Sequence, residues 1–435
     1  MPSPLNKRAG ILSFRLAGTD GVSLEAFKWA EVLGRLGYES HYFGGELQTP
    51  PARSFPCPLA HFRHPEVEEI TAACFGCDVR DRRVTDRIHE LRGGLKRSVH
   101  GFLEQSRIDL LVVENVLTIP LNVPLALAVT EAIAETGIPT IAHHHDFHWE
   151  RKRFARHCIA DFLQGAYPPT LPSIQHVVIN SAGRHQLALR TGATATLIPN
   201  VMDFATEAPP PDAYAADVRA ALGLGDQELL ILQPTRVLQR KGIEHAIELV
   251  RRLDLPAKLV ISHAAGDEGR EYEVRIREYA RLLGVNALFV SDIIDVRRGT
   301  TEDGRKVYAL ADVYPHADLV TYPSLFEGFG NAFLEAIYFR KPLVVNRYSV
   351  YTHDIEPLGF RTIGMDEFVS DDTVREARRY LTDPTQRAEA AEHNYRIART
   401  YYSYEPLEER LAWSSACSEP RPSWARALAW RRRSG

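Results

Sequence analysis

The residues best suited to chemistry are two carboxylates, Glu327 and Glu335, set around a glycine turn in Thr321-Tyr-Pro-Ser-Leu-Phe-Glu327-Gly328-Phe329-Gly330-Asn331-Ala332-Phe-Leu-Glu335. The stretch reads as a buried strand over 317–322, a tight turn, and a helix opening near Asn331, a good N-cap residue. Gly328 and Gly330 let the backbone N–H groups of the turn, through Phe329 to Ala332, approach a ligand. The helix start adds partial positive charge, and the combination suits a diphosphate. A carboxylate beside a phosphate site repels phosphate but holds hydroxyls through charge-assisted hydrogen bonds. A ligand with both groups is a sugar nucleotide. The segment falls one glycine short of the dinucleotide fingerprint, with Phe333 at the third position, so it is a poor NAD site.

Other groups fall where such a ligand needs them. Arg236 and Lys241 lie after an apolar strand (228–233) and before a helix (243–253), where a diphosphate needs cations. A strand following Gly137 runs into His143-His144-His145-Asp146, and polar side chains there need partners. Period two places His143 on the face of His145. A polyhistidine metal site is the rival, weakened because neighbouring strand residues point to opposite faces. The first strand (9–14) leads to Gly18-Thr-Asp20-Gly21 and then a helix, and Asp20 can hydrogen-bond an acceptor hydroxyl. Cys74-Phe-Gly-Cys77 has metal-ligand spacing, and Cys57, His61 and His64 stand nearby in sequence. The expectation is nevertheless reduced, unliganded cysteines.

Glu327 and Glu335, with seven residues between them, match the Glu-x7-Glu motif of retaining glycosyltransferases of the family 4 type, and the chain resembles that family over most of its length. The resemblance implies the GT-B architecture: two Rossmann-like, doubly wound α/β domains facing a cleft, with final helices crossing back to the first. It implies that His145 contacts the transferred sugar or the acceptor, with Asp146 beside it and His143 as backup. It places Gly18 and Gly21 near donor phosphate, and Arg236 and Lys241 on the phosphates. Asp292 and Ile293 become a wall for the nucleotide base, and Glu327 and Glu335 become sugar and ribose contacts. It also implies front-side attack, with the leaving phosphate oxygen taking the acceptor's proton. Two departures from the family pattern are Met202 in Ile-Pro-Asn200-Val-Met-Asp203 and the loose loop Gly266-Asp-Glu-Gly269.

The elements that must position these groups alternate strand and helix twice over, joined by the proline-rich stretch Glu207-Ala-Pro-Pro-Pro-Asp212. The expected organisation is an acceptor-side domain over 1–206, a nucleotide-sugar domain over 207–404, and a crossing segment over 405–435 with a helix at 424–431. A polar insertion at 295–306 is expected to be mobile, followed by a short helix at 307–311. A length of 435 residues allows two or three domains, and a net charge of −4 argues against nucleic acid as a partner. No apolar run is long enough to span a membrane, the start of the chain lacks a signal-peptide core, and five cysteines suggest no disulfide framework. These readings point to the cytoplasm.

The expected activity is retaining transfer of a hexose from a nucleoside diphosphate sugar (GDP-mannose or UDP-glucose type) to a hydroxyl of a small polar acceptor. Arg236, Lys241 and the turn backbone neutralise the leaving group, so no metal is obligatory and Mg2+ is at most a stimulant. The segment Ala17–Glu25 and the His-rich strand resemble small-solute glycosyltransferases of the mannosylglucosylglycerate synthase type. One alternative is a peripheral membrane enzyme with a lipid or cell-envelope acceptor. Its docking face would be residues 80–107, with eight Lys/Arg against four acids and the tail Arg431–Arg433 in support. Another is a sugar-nucleotide epimerase or hydrolase of the same fold. Oligomeric state is not legible in the sequence.

Overall fold

A parallel strand covered by helices on both faces must be apolar along nearly its whole length. The central strands here are the LLVVE, TIAHH and LLILQ runs, each ending in buried polar residues. In the computed structural model, which describes residues 7–18, 20–264, 271–295 and 297–417, the chain divides into two compact units. The first comprises Met1–Val178, Leu187–Ile198 and the chain from Leu407. The second comprises Ile179–Gln186 and Pro199–Pro406.

The first unit is built on seven parallel strands: β1 (Lys7–Leu12), β2 (Tyr38–Gly44), β3 (Ser54–Pro56), β4 (Leu110–Glu114), β5 (Thr140–His144), β6 (Ile174–Val178) and β7 (Ala195–Leu197). Their order is β3-β2-β1-β4-β5-β6-β7. The second unit repeats the scheme with β8 (Leu229–Gln233), β9 (Ala257–Ile261), β10 (Ala287–Phe289), β14 (Leu319–Tyr322), β15 (Leu343–Asn346) and β16 (Ile363–Met365), ordered β10-β9-β8-β14-β15-β16. Each sheet therefore reverses direction once, between β1 and β4 and between β8 and β14. The loops at the carboxyl ends beside such a reversal diverge and leave a crevice for ligands. Both units are Rossmann-like, as expected.

Several local expectations change. Residues 199–206, expected to close the first domain, belong to the second unit: Met202 N–H donates to Tyr402 O at 2.9 Å, and the Phe204 ring packs on Tyr395 at 5.4 Å. The polar insertion folds into a small sheet of β11 (Ile294–Asp295), β12 (Gly299–Thr300) and β13 (Lys306–Ala309), in the order β11-β13-β12. Arg298 holds it through paired bonds to Asp212 and Asp312. The helix expected at 307–311 is instead β13 followed by a short helix, Leu310–Val313, because Val307 and Tyr308 pair with the neighbouring strands. Asn331 is the first residue of the Asn331–Tyr338 helix, with Gly330 at the cap, since its side chain is drawn to Asn200 instead. The loop at 266–269, the helix at 424–431 and the basic tail lie outside the described residues.

Asn122 shows how the first unit fixes its loops. It is fully buried, caps the Val123–Thr136 helix by accepting from Leu125 N–H at 3.0 Å, and donates to Leu59 O and Ala60 O at 2.9 and 3.2 Å. Asn122→Ala removes a cap and strands two buried carbonyls. The expected loss is about 2–3 kcal/mol, read as a lower urea midpoint with unchanged slope.

Candidate active site

The second unit brings the expected turn and Lys241 together at its sheet reversal. The β8 loop carries Lys241 in a 3-10 turn (Gln239–Lys241) that ends at Gly242. Gly242 has φ +59°, and a Cβ there would meet Pro323 O at 2.4 Å, so the two loops touch through backbone only because this residue is glycine. Leu325 N–H donates to Arg240 O at 2.8 Å and closes the contact. Glu327 then turns inward, where its carboxylate binds Lys241 Nζ and, at 3.1 Å, Arg240 Nη1. Burial pushes this carboxyl up, but the charges of Lys241 and Arg240 outweigh it and hold Glu327 below the usual range. Burial pushes the Lys241 ammonium down, with Glu327 opposing.

The turn that follows has its carbonyls tied down. Asn180 Nδ2 donates to Gly328 O at 2.7 Å, Tyr348 OH donates to Phe329 O at 2.5 Å, and Asn200 Nδ2 donates to Asn331 Oδ1 at 2.7 Å. Gly330, at φ +120°, lies so close to the Tyr322 and Tyr348 hydroxyls that a Cβ would come within 2.9 Å of each. The N–H groups from Gly328 to Ala332 have no hydrogen-bond partner among the described residues. Bare N–H groups at a helix start are an anion cradle. Glu335, one turn into the helix, accepts from Tyr314 OH at 2.8 Å.

At the reversal of the first sheet, β4 ends in Glu114, whose register partner on β5 is His143. Glu114 is fully buried and bonded on both sides, to His143 Nδ1 and to His145 Nε2, each at 3.0 Å. Burial pushes Glu114 up, but the two imidazoles overcome it and hold the carboxyl at about 2. Burial likewise opposes charge on His145, yet the Glu114 bond and charge, with Glu25 and Asp146, raise it above the usual imidazole value. The three donor atoms lie within 4.8 Å of one another, and the two N···O contacts to Glu114 are at hydrogen-bond distance. Trp29 stacks on His143 at 4.2 Å.

Residues 216–397 match the family described as "Glycosyl transferases group 1". The chain is 30% identical to a mannosylglucosylglycerate synthase of Thermotoga maritima, over 93% of this chain and 99% of that protein. It is 30% identical to one of Petrotoga mobilis, over 82% and 86% respectively. The chain belongs to the group 1 glycosyltransferases. Its fold is GT-B: a crystal structure of Anabaena Alr3699/HepE with UDP and glucose superposes with TM-score 0.63 at 14% identity, over 95% of this chain and all of that one.

The other expected site residues of this glycosyltransferase lie in varied surroundings. Arg236 is exposed in the β8 loop, its charge felt by Lys241, while Arg240 from the same loop lies beside Glu327. Phe329 is buried against Tyr402 at 5.2 Å, so it can offer a ligand only backbone. His143, expected as a backup acceptor contact, is fully buried and faces Glu114 instead. Asp20 caps the Gly21–Arg35 helix with both oxygens engaged, by Ser23 N–H at 3.1 Å and Ser23 Oγ at 2.7 Å, and pairs with Arg15. Gly18 N–H donates to Gln48 Oε1, and Gly21 is the first helical residue. Asp146 binds Arg151 and Asn115 Nδ2. In the expected base wall, Asp292 pairs with Arg305 at 2.6 Å, while Ile293 spends its N–H on Val290 O and its carbonyl on Tyr308 N–H. Among the described residues the cysteine–histidine set forms no metal-ligand cluster, and Cys77 Sγ meets Cys158 Sγ at 3.5 Å. Arg240, Glu114 and Trp29 escaped the sequence reading. The available signal for Glu114 was a lone carboxylate ending an apolar strand.

Buried histidines give the protein an acid limit. Burial brings His148 and His176 down to about 4, so both are neutral in the fold. The unfolded chain, titrating near 6.5, binds more protons between those values, and stability must fall with pH there. Glu114 adds a loss as pH falls from about 4.5 towards 2. His145, raised, acts oppositely, its contribution being full below its unfolded pKa and lost as pH rises through the folded one. His144, held well below its usual value by burial, adds to His148 and His176, so the urea midpoint should be lower at pH 4.5 than at pH 7.

Proposed function

We propose that this glycosyltransferase transfers a hexose, with retention, from a nucleoside diphosphate sugar to a hydroxyl of a small polar acceptor. The observation that carries the reading is the turn Gly328–Ala332, whose carbonyls are bound and whose N–H groups are free beside Lys241. Developing charge on a departing diphosphate would be met by those N–H groups and by cations already in place. Lys241 has three donors and keeps capacity for phosphate while holding Glu327. Glu327, with lone pairs to spare, would accept from hydroxyls of the transferred sugar, and Glu335 from the ribose. No divalent cation is required by this charge balance.

The names of the relatives direct the choice of substrates. A mannosyl donor of the GDP-mannose type with glucosylglycerate is the first pair to try, and UDP-glucose is the second donor. A small acceptor is favoured over a lipid because most cations of the basic segment are already paired with carboxylates. Arg92 and Lys96 pair with Glu131 and Glu135, Arg80 with Asp161, Arg82 with Asp86, and Arg87 with Glu66 and Glu90. Among the described residues no helix is long and apolar enough to cross a membrane.

The test is release of nucleoside diphosphate with and without acceptor, followed by the anomeric coupling of the product in proton NMR. Release that needs no acceptor would point to hydrolysis, and an inverted product would overturn retention. Lys241→Ala should lower kcat at least 100-fold, since about 3 kcal/mol of charge stabilisation is lost at the leaving group. Glu335→Ala should raise the donor KM by about 10- to 100-fold with kcat little changed, the mark of a contact made equally in ground and transition states. Equal loss of kcat in both variants at native stability would sink this division of labour.

A further inference from the structure

Glu114 occupies a position where a carboxylate is expensive: fully buried, at the end of a strand whose other residues are all apolar. The cost is offset by two imidazoles, and the way they are arranged is informative. His143 turns Nδ1 to the carboxylate and leaves its own Nε2 buried without a partner among the described residues. Trp29 stacks on the ring's face at 4.2 Å, so His143 is held between that indole and its bond to Glu114. Its ring in turn lies 4.4 Å from that of His145. His145 is fixed twice, by its Nε2 on Glu114 at 3.0 Å and by its backbone N–H on Asn115 Oδ1 at 2.8 Å. Its side chain is 9% exposed, and Nδ1 has no partner among the described residues.

We infer that Glu114 is the positioning residue for His145: clamped by His143 and Trp29, it fixes the ring so that the Nδ1 edge is the one offered to substrate. An ionised Glu114 requires a proton on His145 Nε2. That leaves Nδ1 to donate to a substrate oxygen when the ring is charged and to accept when it is neutral. The groups that face His145 set which state holds. They are Glu114 from β4; Glu25 from the Gly21–Arg35 helix, paired with Lys28 at 3.0 Å; Asp146, paired with Arg151; and His143 and His144 on its own strand. Carboxylates dominate this set and favour the imidazolium, in which the offered edge is an N–H donor, suited to a sugar or acceptor hydroxyl oxygen.

The role rests on the proposed transfer reaction, and its test has one arm that does not. Glu114→Gln keeps an acceptor for Nε2–H but removes the charge. In protein with 13C,15N-labelled histidine, with His145 assigned through His145→Gln, the wild-type ring should titrate above about 6.5. The Glu114→Gln ring should titrate lower, by about one unit. In the transfer assay the same variant should lose about tenfold in kcat at pH 7.5, with donor KM nearly unchanged and the alkaline limb of the kcat profile displaced to lower pH. A purely structural role would lower stability and leave that limb in place. Coincident titrations and superimposable pH profiles at native stability would overturn the inference. If Glu114→Gln fails to fold, a wild-type His145 midpoint at or below about 6.5 overturns it and a higher one upholds it. A displaced midpoint in a protein that transfers no sugar supports the positioning and counts against the reaction.

Discussion

A buried carboxylate must be matched by a cationic or hydrogen-bonding partner, and each unit of this protein meets that requirement at the reversal of its own sheet. In the second unit Glu327 follows β14 and is matched by Lys241 and Arg240 from the β8 loop. In the first, Glu114 ends β4 and is met by His143 from β5 and by His145 just after it. Removing one partner of such a pair leaves an uncompensated charge, which is far costlier than never having had the pair. Loop geometry at both reversals therefore follows from the pairing. The β8 and β14 loops must approach closely enough for Lys241 to reach Glu327, and that approach is what forces glycine at 242.

Around these pairs, polar residues at the carboxyl ends of apolar strands are spent on holding loops. Gln233 accepts from Thr321 Oγ1 at 2.6 Å and donates to Thr235 Oγ1 at 2.8 Å. Asn346 donates to Ser324 O at 3.0 Å and accepts from Glu367 N–H at 2.8 Å. Asn180 and Tyr348 hold the carbonyls of the glycine turn. Binding these carbonyls fixes the peptide planes and aims the N–H groups outward. The energetic benefit is preorganisation: donors aimed before a charge arrives need not reorient when it does.

The architecture was legible in the sequence because it rests on periodicity. Apolar runs of strand length alternate with helical patterns, and the two-fold repeat of that alternation was enough for two Rossmann-like domains. The glycine turn was legible because glycines mark close approach, which Gly242 and Gly330 exhibit. Partnerships were much harder to read, since a side chain's partner depends on turn geometry that spacing does not encode. Arg236 and Arg240 flank the same loop, and only the 3-10 turn at Gln239–Lys241 decides that Arg240 faces Glu327. Asp20 looked free for a ligand, but an aspartate just ahead of a helix is as readily a cap. The insertion at 295–306 looked mobile from its polarity. Its order comes from Arg298 bridging two aspartates about 14 and 86 residues away in sequence, a contact no local pattern reveals.

The same reasoning bears on what the surface can recognise. A row of arginines along one helix suggests an anionic partner only if its charge is available. Here the neighbouring helix, Val123–Thr136, supplies Glu131 and Glu135 opposite Arg92, Lys96 and His100, at 2.7–2.8 Å for the closest contacts. Such pairs contribute little to stability at the surface, yet they consume the field that would draw in a membrane. The charges that remain tightly organised are the buried ones at the sheet reversals. Selectivity in this protein is therefore better sought in the fixed donors of the glycine turn and the imidazole of His145 than in its net surface charge.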